Sequence, residues 1–374
     1  MQTPKIALVH DYLNQLGGGE RVLSELMAMF PEAPIFTLLY DENKTRDQFK
    51  GRVRGTSFLD FQFARDHHRL FIPLMPRAAK SIDLGSEFDL IISDTAGFAK
   101  GISYNPKTTK HLCYCHTPLR YAWETETYFN NNPKHLALKI LGAPAFAYVR
   151  HFDYLAGQRP DKILANSHYI ADKIQSYYGR PSEVVYPPVN LEKFYFDPVT
   201  PDPLPPTRSY YLALGRLLPY KRFDLIVEAF NKTGAPLKIV GTGPDEKKLR
   251  RLAMPNIEFV RYVESDDEVR RLYTRAKAFI MANEEDFGMV MAEAQACGTP
   301  IIAYGAGGAK EIIQERTTGL FFKEQNPESL IQAIQRLQGM ELDRAKVGQS
   351  AQRFSKDSFN SAIRAQVATL LQKN

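Results

Sequence analysis

Short apolar runs recur along this chain with helical periodicity between them. Lys5–Val9, Phe88–Ile92, Lys110–Cys115 and Lys162–Ala165 each read as a buried strand, and so do Tyr210–Leu214, Leu237–Val240, Ile257–Val260 and Ala278–Ala282. Pro198, Pro201, Pro203, Pro205 and Pro206 divide the series with a stiff, extended linker. Strand–helix units on both sides of it predict an α/β protein of two doubly wound domains with a cleft between them. At 374 residues, 44% apolar and 24% charged, the chain is long enough to bury two cores.

The densest chemistry follows Ala278–Ala282. Glu285-Asp286-Phe287-Gly288 leads into nine residues, nearly all apolar and helix-tolerant, in which Glu293 is the only charge and after which Gly298 closes the helix. A lone carboxylate on a helix buried nearly all round costs roughly 2–7 kcal/mol unless something hydrogen-bonds to it. Glu285 falls at the strand-to-helix turn, where backbone N–H groups and the helix dipole favour an anion. If the step between the two acids were all helical, they would stand about 12 Å apart along the axis. A diphosphate resting on the turn would then have one glutamate near each group it joins. On spacing alone, a structural ion pair and a capping acid explain the same residues equally well.

Other places suit an anionic ligand. Gly17-Gly18-Gly19 lies between the strand ending at His10-Asp11 and a helix with Val22, Leu23, Leu26, Met27 and Phe30 on one face. Glycine amides can approach phosphate there, although the spacing is not Gly-x-Gly-x-x-Gly and a flexible turn would use glycines too. Arg216 and Lys221 put two cations on a strand-end loop fit for a diphosphate. His116 follows Lys110–Cys115, at the strand end where α/β sheets bind ligands, with a neutral core histidine as the alternative. Gly241-Thr242-Gly243-Pro244 is a turn whose proline rules out a standard dinucleotide loop, and Ser265-Asp266-Asp267-Glu268 reads as a capped helix start.

A net charge of +6 and a pI near 9.0 admit an acidic partner. Nucleotide or phospholipid ranks ahead of nucleic acid, for which no motif is visible. His67–Arg77 and Lys134–Arg150 are both apolar and basic, so either could meet an anionic membrane. Ordinary core helices with solvated basic flanks are the favoured alternative, because the prolines spoil a long amphipathic helix; His67 and His68 read as surface residues. Cys113, Cys115 and Cys297 are too few for a disulfide framework, and Cys-x-Cys has no second pair for a zinc site. No run of 18 uncharged apolar residues occurs and the N-terminus lacks a signal-peptide layout. The expectation is a reduced, cytoplasmic protein, with peripheral contact at the inner face of the membrane left open.

The Glu285-x7-Glu293 pattern, with Phe287-Gly288 after the first acid and Gly298-Thr299-Pro300 at the helix end, resembles the retaining glycosyltransferases of family 4. Gly307-Gly308-Ala309-Lys310-Glu311-Ile312-Ile313 and Thr318-Gly319-Leu320 continue the match, as do Val184–Asn190 with Phe194 and the Gly215-Arg216-Leu217…Lys221-Arg222 run. His10-Asp11-Tyr12-Leu13, Gly17–Arg21 and His116-Thr117-Pro118 resemble most the bacterial mannosyltransferases of O-antigen and exopolysaccharide assembly. The resemblance implies a GT-B fold of two Rossmann-like domains: 1–190 on the acceptor side, 191–354 binding the nucleotide sugar, and a helix 355–374 returning to the first. It further implies that Arg216, Lys221, the Gly18 and Gly19 amides and the helix start at Phe287-Gly288 stabilise the departing diphosphate. Glu293 would take the ribose diol, Glu285 and His116 donor-sugar hydroxyls, and the backbone at Val263 the base. No metal or cofactor is implied, in keeping with the lack of any Asp-x-Asp triplet. The implied reaction moves mannose from GDP-mannose, with retention, to a lipid-linked saccharide. A UDP-sugar donor and a nucleotide-binding protein without transferase activity stay open, while a nicotinamide dehydrogenase finds neither glycine loop in its pattern.

Overall fold

Strands in both halves of the chain pair only in parallel, so each sheet needs helices on both faces. The computed structural model describes residues 4–124, 136–197, 209–261, 263 and 265–372. The proline run 198–206, expected to be the linker, lies outside the described residues, as does the start of the 134–150 segment. The chain divides into one unit of Met1–Pro188 with Phe359–Asn374 and a second of Val189–Ser358.

In the first unit β1 (Ile6–Leu13), β2 (Ile35–Tyr40), β3 (Val53–Thr56), β4 (Leu90–Thr95), β5 (Lys110–Cys115), β6 (Lys162–Ala165) and β7 (Glu183–Val184) form a sheet in the order β3-β2-β1-β4-β5-β6-β7. Leu8 pairs with Ile35 on one side and Ile92 on the other. Alternate β1 residues feed opposite cores: Ala7 and Val9 pack with Met75, Phe98 and Phe152, and Leu8 with Val22, Leu26 and Tyr114. Two strands outrun their sequence signal. β1 continues past His10-Asp11, and β4 past Ile92, because the polar residues there are buried and bonded to one another across the ladder. Thr95 Oγ1 donates to Asp11 at 3.0 Å, and the His10 ring meets Asp94 at 2.9 Å.

The second unit repeats the plan with β8 (Tyr210–Leu214), β9 (Leu237–Val240), β10 (Ile257–Val260), β11 (Ala276–Met281), β12 (Ile301–Tyr304) and β13 (Gly319–Phe322), ordered β10-β9-β8-β11-β12-β13. Each unit thus runs outward from its first strand, returns to the centre, and runs out the other way. That is the expected doubly wound order, and ligands in such sheets bind beyond the strand C-termini at the reversal. The reversals lie between β1 and β4 and between β8 and β11.

The final helix, Lys356–Gln372, sets Phe359, Ile363, Val367 and Leu370 on one stripe and buries them in the first unit's core beside Leu112 and Tyr114. Each such side chain contributes at most roughly 1.5–3 kcal/mol. Asn360 Nδ2 to Glu25 at 2.7 Å and Gln366 Nε2 to Glu183 at 2.6 Å fix its rotation. The basic, proline-containing segment splits into a 3-10 turn, His68–Leu74, and a helix, Met75–Ser81. Ile72, Met75, Ala78 and Ala79 enter the core, whereas Leu70 and Leu74 stay 70% and 40% exposed. His68 is not a surface residue: it lies half-buried 5.3 Å from the Tyr12 ring, and burial lowers its pKa. Only His67 stays outside.

A buried ion pair ties the loop after β4 to the helices behind it. Lys100 Nζ lies 2.6 Å from Asp153 Oδ1, with both side chains essentially sealed from water. The other Asp153 oxygen accepts from Trp123 Nε1 and Tyr178 Oη, each at 2.7 Å. Burial alone would discharge Lys100, but Asp153 outweighs it and raises the lysine pKa. Removing one partner leaves an unanswered buried charge. Lys100→Met is therefore expected to lower the unfolding free energy by about 3–5 kcal/mol in urea titration, and Lys100→Met with Asp153→Asn to recover part of that loss.

Candidate active site

The reversal in the second unit holds Lys221 and Glu285 as an ion pair. Lys221 comes from the loop after β8, at the end of the 3-10 turn Pro219–Lys221. Glu285 comes from the segment after β11. It does not sit on a continuous helix: the helix is Met289–Ala296 with Gly288 as its N-cap, and Glu285 instead bridges to Gly307. The all-helical spacing of the two acids therefore does not apply. Two glycines let this segment close up. Gly308 N donates to Glu285 O at 2.8 Å, and a Cβ on Gly307 or Gly308 would meet the Glu285 or Phe287 carbonyl oxygen at 2.3 or 2.4 Å. Asn283, 2% exposed, donates to Glu285 Oε1 at 2.9 Å and fixes the carboxylate from behind.

The β8 loop is braced in the same way. A Cβ on Gly241 would meet Gly215 O at 2.0 Å, and one on Gly243 would meet Leu217 O at 2.4 Å. Leu217 N donates to Thr242 O at 2.9 Å. The Gly-Thr-Gly turn is thus the buttress of the loop bearing Arg216, which is exposed, and Lys221, which is half-buried. Glu293 is 3% exposed on its helix and is met by the Tyr273 hydroxyl at 3.4 Å. Phe287 turns its ring into the core against Phe354, centroids 5.3 Å apart. Val263 lies half-buried in the loop between β10 and the helix Asp266–Arg275.

The first unit builds a different cluster at its own reversal. Asp94, fully buried at the end of β4, receives His10 Nδ1 at 2.9 Å on one oxygen and His116 Nε2 at 2.7 Å on the other. His10 Nε2 faces Glu20 Oε1 at 3.9 Å, an ion-pair distance too long for a hydrogen bond. Burial opposes a charge on His10, but Asp94 and then Glu20 outweigh it and raise its pKa to about 10. Burial likewise opposes ionisation of Asp94, and the two histidines hold its carboxyl below the usual range. Gly18 and Gly19 open the helix Gly18–Met29, where first-turn N–H groups have no intrahelical partner. Gly19 lies directly over the pair: a Cβ there would sit 3.5 Å from His10 Cε1 and from His116 Nε2.

Residues 16–193 match the family described as Glycosyltransferase Family 4, and residues 201–354 match Glycosyl transferases group 1. The chain belongs to glycosyltransferase family 4. It is 29% identical over 212 residues to an uncharacterized glycosyltransferase of Methanocaldococcus jannaschii, covering 55% of this chain and 58% of that protein. It is 26% identical over 365 residues to the GDP-Man:Man(3)GlcNAc(2)-PP-Dol alpha-1,2-mannosyltransferase of Homo sapiens, covering 82% and 73%. The chain spans about half the length of the curated relatives it matches first. The structure of Anabaena HepE in complex with UDP superposes with a TM-score of 0.70 at 17% identity, over 98% of this chain and 100% of that one. That likeness shows a GT-B fold in this family 4 member.

Within one unit, then, the structure joins Lys221 to Glu285 and puts Arg216, Phe287, Gly288 and Glu293 on the segments around them. In the other it joins His116 to Gly19. Four contributors escaped sequence reasoning. Asp94 lies beyond the apolar run Phe88–Ile92, Asn283 and Tyr273 carry no motif, and the Gly241–Gly243 turn reads only as a turn that its proline bars from dinucleotide binding. The one available signal was polarity directly after a buried strand, since α/β sheets bind at that end. Among the described residues no helix is long and apolar enough to cross a membrane.

Proposed function

We propose that the protein is a retaining α-mannosyltransferase that moves mannose from GDP-mannose to a lipid-linked saccharide in the building of a bacterial surface polysaccharide. The observation that supports this most is the half-buried Lys221–Glu285 pair at the second unit's reversal, followed on the next helix by buried Glu293. A departing nucleoside diphosphate needs cations and N–H groups aimed at its growing charge. In the second unit Lys221, Arg216 and the backbone at Phe287-Gly288 supply them, without a metal in the step. Glu285 balances Lys221 in the free protein and takes sugar hydroxyls from the donor. Glu293 accepts from the ribose diol, the Val263 backbone meets the base, and His116 orients a sugar hydroxyl. The second unit holds the nucleotide and the first serves the acceptor. Mannose and a lipid-linked acceptor are favoured by the name of the Homo sapiens relative, which specifies GDP-Man and a PP-Dol-linked saccharide.

With purified protein and an acceptor lipid, GDP-mannose is expected to outcompete UDP-glucose, and NMR of the product to give an α anomeric centre. A β-mannoside would remove the retaining mechanism, and preference for the uridine donor would move the specificity. Nucleotide binding without turnover across a donor panel would leave a binding protein. Glu293→Gln is expected to weaken GDP and GDP-mannose alike by about 1–3 kcal/mol in calorimetry; unchanged GDP affinity would remove Glu293 from the ribose.

We also infer that the first unit touches anionic membranes. Phe58, Phe61, Phe63 and Leu70 are 57%, 43%, 55% and 70% exposed, and Phe61 and Phe63 meet the Phe71 ring edge-on at 5.6 and 6.0 Å. Arg69 and Arg77, in the same stretch of chain, are exposed as well, and a pairing of apolar and basic side chains suits an anionic bilayer. Sedimentation is expected to recover more protein with acidic than with neutral liposomes, and less at high salt. Equal recovery would leave the segment as core helix with solvated flanks.

A further inference from the structure

We propose that Asp94 is a positioning residue that fixes His116 as the Nε2–H tautomer, so that Nδ1 is held as a hydrogen-bond acceptor for a hydroxyl of the bound sugar, with His10 and Glu20 completing the charge balance. This rests on the reading of His116 given above and assigns its chemistry.

Ionised Asp94 only accepts, so the imidazole nitrogen 2.7 Å from its Oδ1 must be the one with the proton. In a neutral ring the other nitrogen is then a lone-pair acceptor. Among the described residues no protein group bonds His116 Nδ1. The ring plane is set from two sides. Tyr114 packs edge-on at 5.2 Å, its own hydroxyl committed to Val185 O at 2.9 Å, and the Gly19 backbone covers the Nε2 edge. Asn166 Nδ2 donates to the His116 carbonyl at 3.0 Å and fixes the main chain below the ring.

A fully buried carboxylate with one neutral histidine would be poorly compensated. His10 removes that difficulty from the far side of Asp94. Its Nδ1 bonds Oδ2 at 2.9 Å, and its charge is retained because Glu20 stands at its other nitrogen. Glu20 in turn is kept ionised: burial opposes this, while His10 and the backbone N–H groups of Glu20 and Gly17 outweigh it. The order Glu20–His10–Asp94–His116 therefore alternates acid and imidazole, with the buried carboxylate of Asp94 already answered by His10. In a catalytic triad the buried acid stabilises an imidazolium on the working histidine. Here a second histidine takes that part and leaves the outer ring free to accept.

Long-range 1H–15N NMR of the full chain at pH 7.5 tests this, with the His116 signals assigned by their loss in His116→Gln. The expected spectrum has His116 as a single Nε2–H tautomer with an unprotonated Nδ1, and His10 protonated on both nitrogens. A His116 ring in the Nδ1–H form, or one averaging between tautomers, overturns the proposal whatever the enzyme does. In Asp94→Asn the His116 shifts are expected to move to averaged values, with turnover of GDP-mannose down about 10²-fold and GDP affinity unchanged. Unaltered His116 shifts in a folded Asp94→Asn would overturn it too, and if that variant does not fold, the wild-type spectrum decides alone. A protein inert to every nucleotide sugar but showing the fixed tautomer would remove the transferase reading and leave the positioning chain standing.

Discussion

Parallel strand pairing with a reversal of order is the constraint on which the rest depends. A parallel sheet must be covered by helices on both faces, and connections that switch face at the centre leave the C-terminal ends of two central strands uncovered side by side. In this chain those pairs of ends are β1 with β4 and β8 with β11. Whatever polar residues follow the apolar part of these strands come together there without further design. His10 meets Asp94 in one unit, and in the other Lys221, from the loop after β8, meets Glu285. The residues that do the proposed chemistry are strand-end residues first.

Close backbone approach is the second requirement. The Glu285 segment is held by Gly307 and Gly308, and the Arg216–Lys221 loop by Gly241 and Gly243, at distances that leave no room for a Cβ. Glycine costs conformational entropy on folding, so its use at these points exchanges some stability for the position of one carboxylate and one ammonium. The contacts explain why the glycines lie in the loop after the strand next to the one whose loop bears the charged residue. The loop with the chemistry is gripped by its neighbour's loop.

Buried strands were legible because a strand covered on both faces reads as an unbroken apolar run, as in Tyr210–Leu214 and Ala278–Met281. The acidic residue on an otherwise apolar helix, Glu293, was legible for the converse reason. What escaped was polarity that is buried by pairing. Ser93, Asp94 and Thr95 end a strand whose apolar signal stops at Ile92, and nothing local says that Asp94 will be answered by His10 and His116, 84 and 22 residues away. Lys100 and Asp153 look like ordinary surface charges in sequence and are among the most deeply buried side chains of the first unit. A hydrophobicity pattern registers solvent exclusion only for side chains that exclude water alone. It is blind to those that do so in pairs.

The two charge clusters differ in a way that bears on what each can do. Asp94 is sealed, with both oxygens bonded, and Glu20 and His10 are nearly as deep. Breaking any link there would strand a charge in low dielectric, at a cost of several kcal/mol. Such a network keeps one arrangement, which suits the positioning role proposed for Asp94. Lys221 and Glu285 keep 17% and 15% of their side-chain surface in water. Their attraction is partly screened, and each can be resolvated or taken over by another ion at modest cost. Another anion can therefore replace Glu285 as the partner of Lys221 with less loss than a break in the sealed cluster would bring. Rigidity and exchangeability are thus set by burial of the same few residue types, at equivalent positions in two sheets of the same order.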